Sequence, residues 1–328
     1  AKDARTVAAQ NTFELTSQRW MTKKTPSWTE KHAEKVRIRL RKHVYPYVGH
    51  RPIEDITTPE LLSVLTRMED RGIIDTAHRV RSYCEQIYAY AISTGIASRN
   101  VASDLRGALP ERTTSNYATL KDPADLRRLL KACDTDTGEL RTIIALRLSI
   151  MLFQRPGEIR AMEWEEVDLD KALWTIPPAR MKLRKKQKES NKTEPHTVPL
   201  PRQAVELLME LVPHTHGGRY VFGRTRKSKA PLSDGTINKA MRRMGFSRDM
   251  ITAHGFRHLA STELNETLQW HGDVIESQLS HQGTDKIRGI YNKAKYLKQR
   301  VKMMQVWADY LDDLKASTGD AKPLSARF

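Results

Sequence analysis

A chain of 328 residues with 56 Lys and Arg against 39 Asp and Glu, formal net charge +17, exceeds the usual single-domain size and should accumulate around polyanions, nucleic acid first among them. Its two cysteines, Cys84 and Cys133, lie far apart and form no CxxC pair, which argues against a disulfide framework and fits a reducing compartment. With no run of about 18 apolar residues and no charged-then-apolar leader, neither membrane insertion nor export is indicated, and the expected location is cytoplasmic, in association with the nucleoid.

Residues 1–110 read as a helical bundle of four or five helices. It begins around Phe13, Leu15 and Trp20, and continues through SWTEKHAEKVRIRLRKHV, where Ser27 and Glu30 have capping-box spacing. TTPELLSVLTRMEDRG enters a helix at Thr58-Pro59 and stops at Gly72. In DTAHRVRSYCEQIYAYAISTG, positions Val80, Tyr83, Cys84, Ile87 and Ala91 share one helical face, and Gly95 ends the run. LPERTTSNYATLKD has a proline, small polar residues and no apolar period, so the domain linker is expected at 111–121, with a second domain at 122–328.

Beyond the linker, DPADLRRLLKACD and ELRTIIALRLSIMLF read as helices, while VDLDKALWTIPPARMKL and HTVPL read as short strands around turns. The intervening RKKQKESNKTE is polar enough to be an exposed, mobile loop. Helical patterns resume at PRQAVELLMEL and LSDGTINKAMRRMG and run to the C-terminus. The fold class is therefore mainly α, with a small antiparallel sheet in the second domain. Basic charge is clustered: residues 31–51 hold seven Lys or Arg against one Glu, 180–202 eight against two acids, and 286–302 seven against none. Folding could bring these stretches to one groove.

Several residues stand where chemistry is plausible. Arg155, in FQRPGEIRAMEW, ends an apolar helix just before a Pro-Gly break. It would either pair with Glu158 to hold a turn or offer its planar fork to phosphate oxygens. In TAHGFRHLAST, His254 and Arg257 are three apart, so on a helix both would leave one face and could hold one phosphate. His254 and His258 have the spacing of a metal pair, but Gly255 stands where a zincin helix needs Glu, and Arg257 would repel a cation. His281 precedes Tyr291 by ten residues. A tyrosine, with a pKa of about 10, becomes a nucleophile only where cations stabilise the phenolate or a base takes its proton. The run RGIYNKAKYLKQR supplies cations around Tyr291 and Tyr296. On a helix these two would point about 140° apart, so one at most faces a given site, and Tyr296 is expected to pack. No Gly-rich phosphate loop and no acidic metal cluster appear, so neither ATP nor a metal cofactor is expected.

The order QRPGE, RMK before HTVPL, HGFRH, LSH, and Y before a terminal helix ending in WADYL resembles the tyrosine recombinases, in particular phage and genomic-island integrases of the P4-like group. The resemblance spans nearly the whole chain. It implies a helical core-binding domain and a catalytic domain that clamp double-stranded DNA at attachment sites, as a homo-tetramer, with DNA-bending accessory proteins as further partners. By motif, Arg155 and Arg257 would bind the non-bridging oxygens of the scissile phosphate, and His254 would assist proton transfer from the nucleophile or its positioning. Lys182 would protonate the departing 5′ oxygen, His281 would hydrogen-bond the phosphate, and Tyr291 would attack phosphorus to give a 3′-phosphotyrosyl link. The turn after Lys182 is longer than the family pattern, so Lys185, Lys186 and Lys188 are alternatives for the acid. An arm-type DNA-binding domain, usual in the group, has no room before the bundle. Two other functions fit part of the pattern: a type IB topoisomerase-like relaxing enzyme, and a sequence-specific regulator with a vestigial site. The amphipathic terminal helix, with Met303, Val306, Trp307 and Leu311 on one side, either packs on its own domain or docks in part on a neighbouring protomer.

Overall fold

A computed structural model describes residues 11–111, 117–280 and 296–317. The chain divides into two compact units: Ala1–Thr114 with Arg184–Gln187, and Ser115–Leu183 with Lys188–Phe328.

Residues 11–111 contain four α-helices: α1 (Phe13–Lys24), α2 (Glu30–His43), α3 (Thr58–Glu69) and α4 (Ile74–Ser93). Each begins or turns for a local reason. Thr29, not Ser27, caps α2, its hydroxyl accepting from His32 N at 3.3 Å, because Thr29 has the extended backbone that a cap requires. Glu30 in the first turn and Arg41, Lys42 and His43 in the last then complement the helix dipole. At α3 a reciprocal capping box joins Thr57 and Glu60, with Thr57 N donating to Glu60 Oε2 at 2.9 Å. That helix ends at Glu69, and Gly72 supplies the left-handed residue of the turn that follows (φ 68°). On α4, Val80, Tyr83, Cys84, Ile87 and Ala91 are all buried, as their period predicts, and they pack with Phe13, Trp20, Val36, Leu40 and Leu65 into one core.

In the second unit, α5 (Pro123–Thr135) and the apolar α6 (Leu140–Leu152) are followed by the short α7 (Pro156–Arg160). A three-stranded antiparallel sheet comes next, ordered β1 (Val167–Asp168), β2 (Leu173–Ile176), β3 (His196–Pro199), with Trp174 opposite Val198 and Ile176 opposite His196. The polar segment between β2 and β3 is less irregular than its composition suggests, since Lys185–Lys188 forms a single helical turn. After it come α8 (Arg202–Thr215), α9 (Thr236–Arg243), α10 (Gly255–Thr262), α11 (Gly272–Leu279) and α12 (Leu297–Ala316). Trp174 and Ile176 on β2 and seven residues of α6 are buried in the core.

The apolar side of α12 is consumed within this unit. Met303, Met304, Trp307, Ala308, Leu311 and Leu314 are all buried, and Trp307 Nε1 donates to Ile150 O at 3.3 Å. That face packs on its own domain, where each large side chain gains roughly 2 kcal/mol from burial. Cys84 and Cys133 are free and buried, and burial pushes both thiols up to about 12. No helix among the described residues is long and apolar enough to cross a membrane.

Candidate active site

The site starts where α6 stops. Phe153 adopts a left-handed backbone (φ 41°) with its ring fully buried, which turns the chain sharply and leaves Arg155 as the residue entering α7. Pro156 has no N–H to lose at this first position. Glu158, 3% exposed, holds the turn: its Oε2 accepts from Arg155 N at 3.2 Å, and its Oε1 accepts from Arg155 Nη1 at 3.1 Å. The remaining end of the guanidinium, Nη2, donates to Ser280 O at 3.2 Å.

That carbonyl belongs to a set of three. Helix α11 ends with Ser280 in a left-handed conformation (φ 51°), leaving the carbonyls of its last turn without partners inside the helix. Gln278 O accepts from Gln154 Nε2 (2.9 Å) and from His196 Nε2 (3.1 Å), so that imidazole nitrogen carries its proton. Leu279 O accepts from Arg257 Nη2 (2.7 Å), whose Nη1 donates to Phe153 O (2.9 Å). Two guanidinium groups from different elements thus meet at the negative end of one helix, where the dipole favours cations. The side chain of Gln278 is gripped from the other side by Arg300 of α12, which donates to its Oε1 through Nε (2.9 Å) and Nη2 (2.7 Å).

His254 is the residue entering α10 rather than a member of that helix, and Arg257 is 5% exposed within it. The imidazole of His254 is pulled down to about 4, first by burial and then by its electrostatic interactions with Arg257, His258, Lys182 and Arg155. Arg257 is itself lowered to about 10, by burial and then by Arg155, and so remains charged at neutral pH. Four of the expected site residues therefore act on one another electrostatically: Arg155, Lys182, His254 and Arg257. The Tyr117 ring lies against His254 with centroids 4.1 Å apart. The arrangement has an excess of positive charge around a neutral imidazole, which suits an anion with several oxygens.

Lys182 is exposed and stands in a bend after β2, not on a strand. Its turn is fixed by Arg180, which donates to Glu158 O (2.6 Å) through Nη2 and to Glu166 Oε2 (2.8 Å) and Ala161 O through Nη1. Lys188 Nζ is occupied with Ala179 O at 2.8 Å. His281 and Tyr291 lie outside the described residues. Tyr296 is half-buried against the core, with its hydroxyl 3.5 Å from Asp273 Oδ2, which agrees with a packing role. No group of three His, Cys, Asp or Glu among the described residues could hold a metal ion.

Sequence reasoning overlooked Gln154, Arg180, Gln278, Arg300 and Tyr117. Gln154 and Arg180 stood inside quoted motifs and could have been found as neighbours of Arg155 and Lys182. Tyr117 gave no signal, because nothing local ties a residue in a polar segment to a histidine 137 positions later.

The chain matches the model of the phage integrase central domain over residues 13–108 and that of the phage integrase family over residues 121–298. Prophage integrase IntZ of Escherichia coli strain K12 is 36% identical over 323 residues, covering 98% of this chain and 75% of that protein. The integrase of Enterobacteria phage P4 is 33% identical over 309 residues, covering 92% of this chain and 69% of that protein. Among solved structures, a lambda integrase dimer bound to a COC′ core site is similar with a TM-score of 0.65 at 19% identity, covering 89% of this chain and 81% of that one. A lambda integrase tetramer bound to a Holliday junction has a TM-score of 0.63 at 18% identity, covering 88% and 80%. At such identities the structural likeness speaks for the fold.

Proposed function

The chain belongs to the phage integrase family and is a site-specific tyrosine recombinase, an enzyme that breaks and rejoins DNA, and from that premise we propose how its own residues divide the work. Arg155 and Arg257 bind the two non-bridging oxygens of the scissile phosphate and stabilise the charge that grows on them in the transition state. Tyr291 attacks phosphorus while His254, neutral at physiological pH, accepts the phenolic proton. Lys182 delivers a proton to the departing 5′ oxygen. The products of this step are a 3′-phosphotyrosyl bond and a free 5′ hydroxyl, and attack by a 5′ hydroxyl of the partner strand reverses the chemistry. His281 hydrogen-bonds the phosphate. Because the bond energy is retained in the ester, the exchange needs no ATP.

The observation that carries this reading is the convergence of Arg155, Lys182 and Arg257 on His254 beside the end of α11, the helix that leads into the segment containing His281 and Tyr291. Lys182 is preferred as the acid because its charge is among those that act on His254. Residues 1–110 then serve as the core-type DNA-binding domain and 122–328 as the catalytic domain, joined by the 111–121 linker. The partners are double-stranded attachment sites, three further copies of the chain on paired sites, and DNA-bending accessory proteins. The setting is the bacterial cytoplasm at the nucleoid.

Covalent trapping tests the assignment. On a nicked duplex carrying the element's attachment sequence the cleaved end diffuses away and the adduct accumulates. Wild type and Tyr296→Phe should give a denaturation-resistant protein-DNA band and Tyr291→Phe none, with cleavage persisting in a chelator. A band that survives in Tyr291→Phe moves the nucleophile elsewhere. Tight, specific binding with no band in wild type would instead favour a regulator.

A further inference from the structure

Tyr117 opens a short segment pinned to the entrance of α10. Thr252 N donates to Ala118 O at 3.2 Å, and Thr119 Oγ1 donates to Gly255 O at 3.1 Å. The approach is so close that a Cβ on Gly255 would stand 2.1 Å from Ala118 O, so only glycine fits beside the segment. Leu120, 5% exposed, anchors its far end in the core. These ties fix the backbone next to Tyr117 and leave its ring against His254, with centroids 4.1 Å apart and planes tilted by 48°, and 6.5 Å from the His258 ring. Yet Tyr117 is 55% exposed, so burying its own apolar surface does not explain the placement.

What the ring does accomplish is to lie against one side of an imidazole that has several cations near enough to act on it. Arg257 from α10, Lys182 from the turn after β2 and Arg155 from the entrance to α7 all disfavour its protonation, and the His258 ring lies 6.5 Å away. We propose that Tyr117 is a positioning residue for DNA cleavage, holding the His254 imidazole in place and shielding it from water so that it stays neutral and ready to accept the nucleophile's proton. The inference rests on the role given to His254 above. It adds a residue from the linker side of the unit to a reaction otherwise run by the motif residues.

The test uses the full chain, comparing wild type, Tyr117→Ala and Tyr117→Phe in two measurements. Histidine NMR titration reads the His254 midpoint directly, and single-turnover cleavage of the nicked duplex is followed from about pH 5 to about pH 9. Removing the ring admits water, which favours imidazolium. The His254 midpoint of Tyr117→Ala should therefore rise by about one unit, with Arg257, Lys182 and Arg155 still opposing protonation. The acid limb of cleavage should move up with it, slowing the reaction several-fold near pH 6, while DNA affinity and thermal unfolding stay as in wild type. Tyr117→Phe, which keeps the ring, should restore both profiles. An unchanged midpoint in Tyr117→Ala overturns the proposal. A midpoint that moves while the cleavage limb does not would show the ring acting on His254 but His254 not acting in cleavage, which overturns the catalytic claim and the assignment beneath it. Loss of activity without a change in pH profile would reduce Tyr117 to a structural contact and overturn it as well.

Discussion

Glu158 forms the ion pair that was one of the two readings of the QRPGE motif. Its carboxylate takes two hydrogen bonds from Arg155, one from the backbone and one from the guanidinium, and leaves the far nitrogen aimed at the end of α11. The ion pair is therefore present and fixes the orientation of Arg155, the orientation that the proposed phosphate contact would use. Glu158→Gln keeps the shape and removes the charge, so Arg155 becomes a half-buried cation with weaker support. Urea unfolding should show a loss of about 1–3 kcal/mol, and the adduct yield on nicked duplex should fall with it. A variant as stable as wild type would mean that the pair contributes nothing net, as many partly exposed pairs do.

Among elements, the decisive junction is that of β3, α11 and α12. Arg300, 2% exposed, is lowered to about 10 by burial, and it donates to Gln278 Oε1 and Thr197 O, both neutral acceptors. Arg300→Met strands the Gln278 carbonyl, and Gln278→Met strands the buried guanidinium. Each single change should cost about 2–4 kcal/mol, the second more than the first. The double variant should recover most of the loss, giving a coupling energy of at least about 1 kcal/mol in a double-mutant cycle. Additive losses would show the contact to be incidental. Since Gln278 also carries the first of the three carbonyls at the end of α11, a loosened Gln278 should disturb the seats of Arg155 and Arg257. The same junction explains why α12 packs at home. Its Trp307 and Leu314 belong to the core that supports the site, so removing residues after Leu311 would open that core by taking away Leu314.

For the molecule as a whole, acid should be destabilising over a definable window. An unfolded histidine takes its proton near pH 6.5, whereas burial and neighbouring cations keep His32 and His43 lower and hold His254 down to about 4. The unfolded chain therefore binds more protons between these values, and stability, complete above about pH 6.5, falls as the pH drops through the window towards 4. Glu85, held low by Arg106, and Asp136, held low by Arg243, lose their contribution below the ordinary carboxylate range and extend the decline. The urea midpoint should thus decrease steadily from pH 7 to about pH 4.5, and His254→Asn should flatten part of the slope. A midpoint that does not move with pH in this range would contradict the suppressed protonation of these histidines.

Much of this was legible in the sequence because it is local. The period of Val80, Tyr83, Cys84, Ile87 and Ala91 dictates a buried helical face wherever the chain goes. Proline, glycine and capping residues act within one turn of themselves. An arginine before Pro-Gly, or a histidine three residues from an arginine, announces its chemistry through spacing alone. Even so, Thr29 displaced Ser27 as a cap, since a cap is chosen by backbone conformation, which spacing does not fix. What only the tertiary structure decided are contacts between residues far apart in the chain: Arg257 on Phe153 and Leu279, Arg300 on Gln278, and Tyr117 on His254. These pairings carry no sequence signature, because a buried polar group requires a partner but not a partner at any particular distance along the chain, and folding alone selects which one it meets.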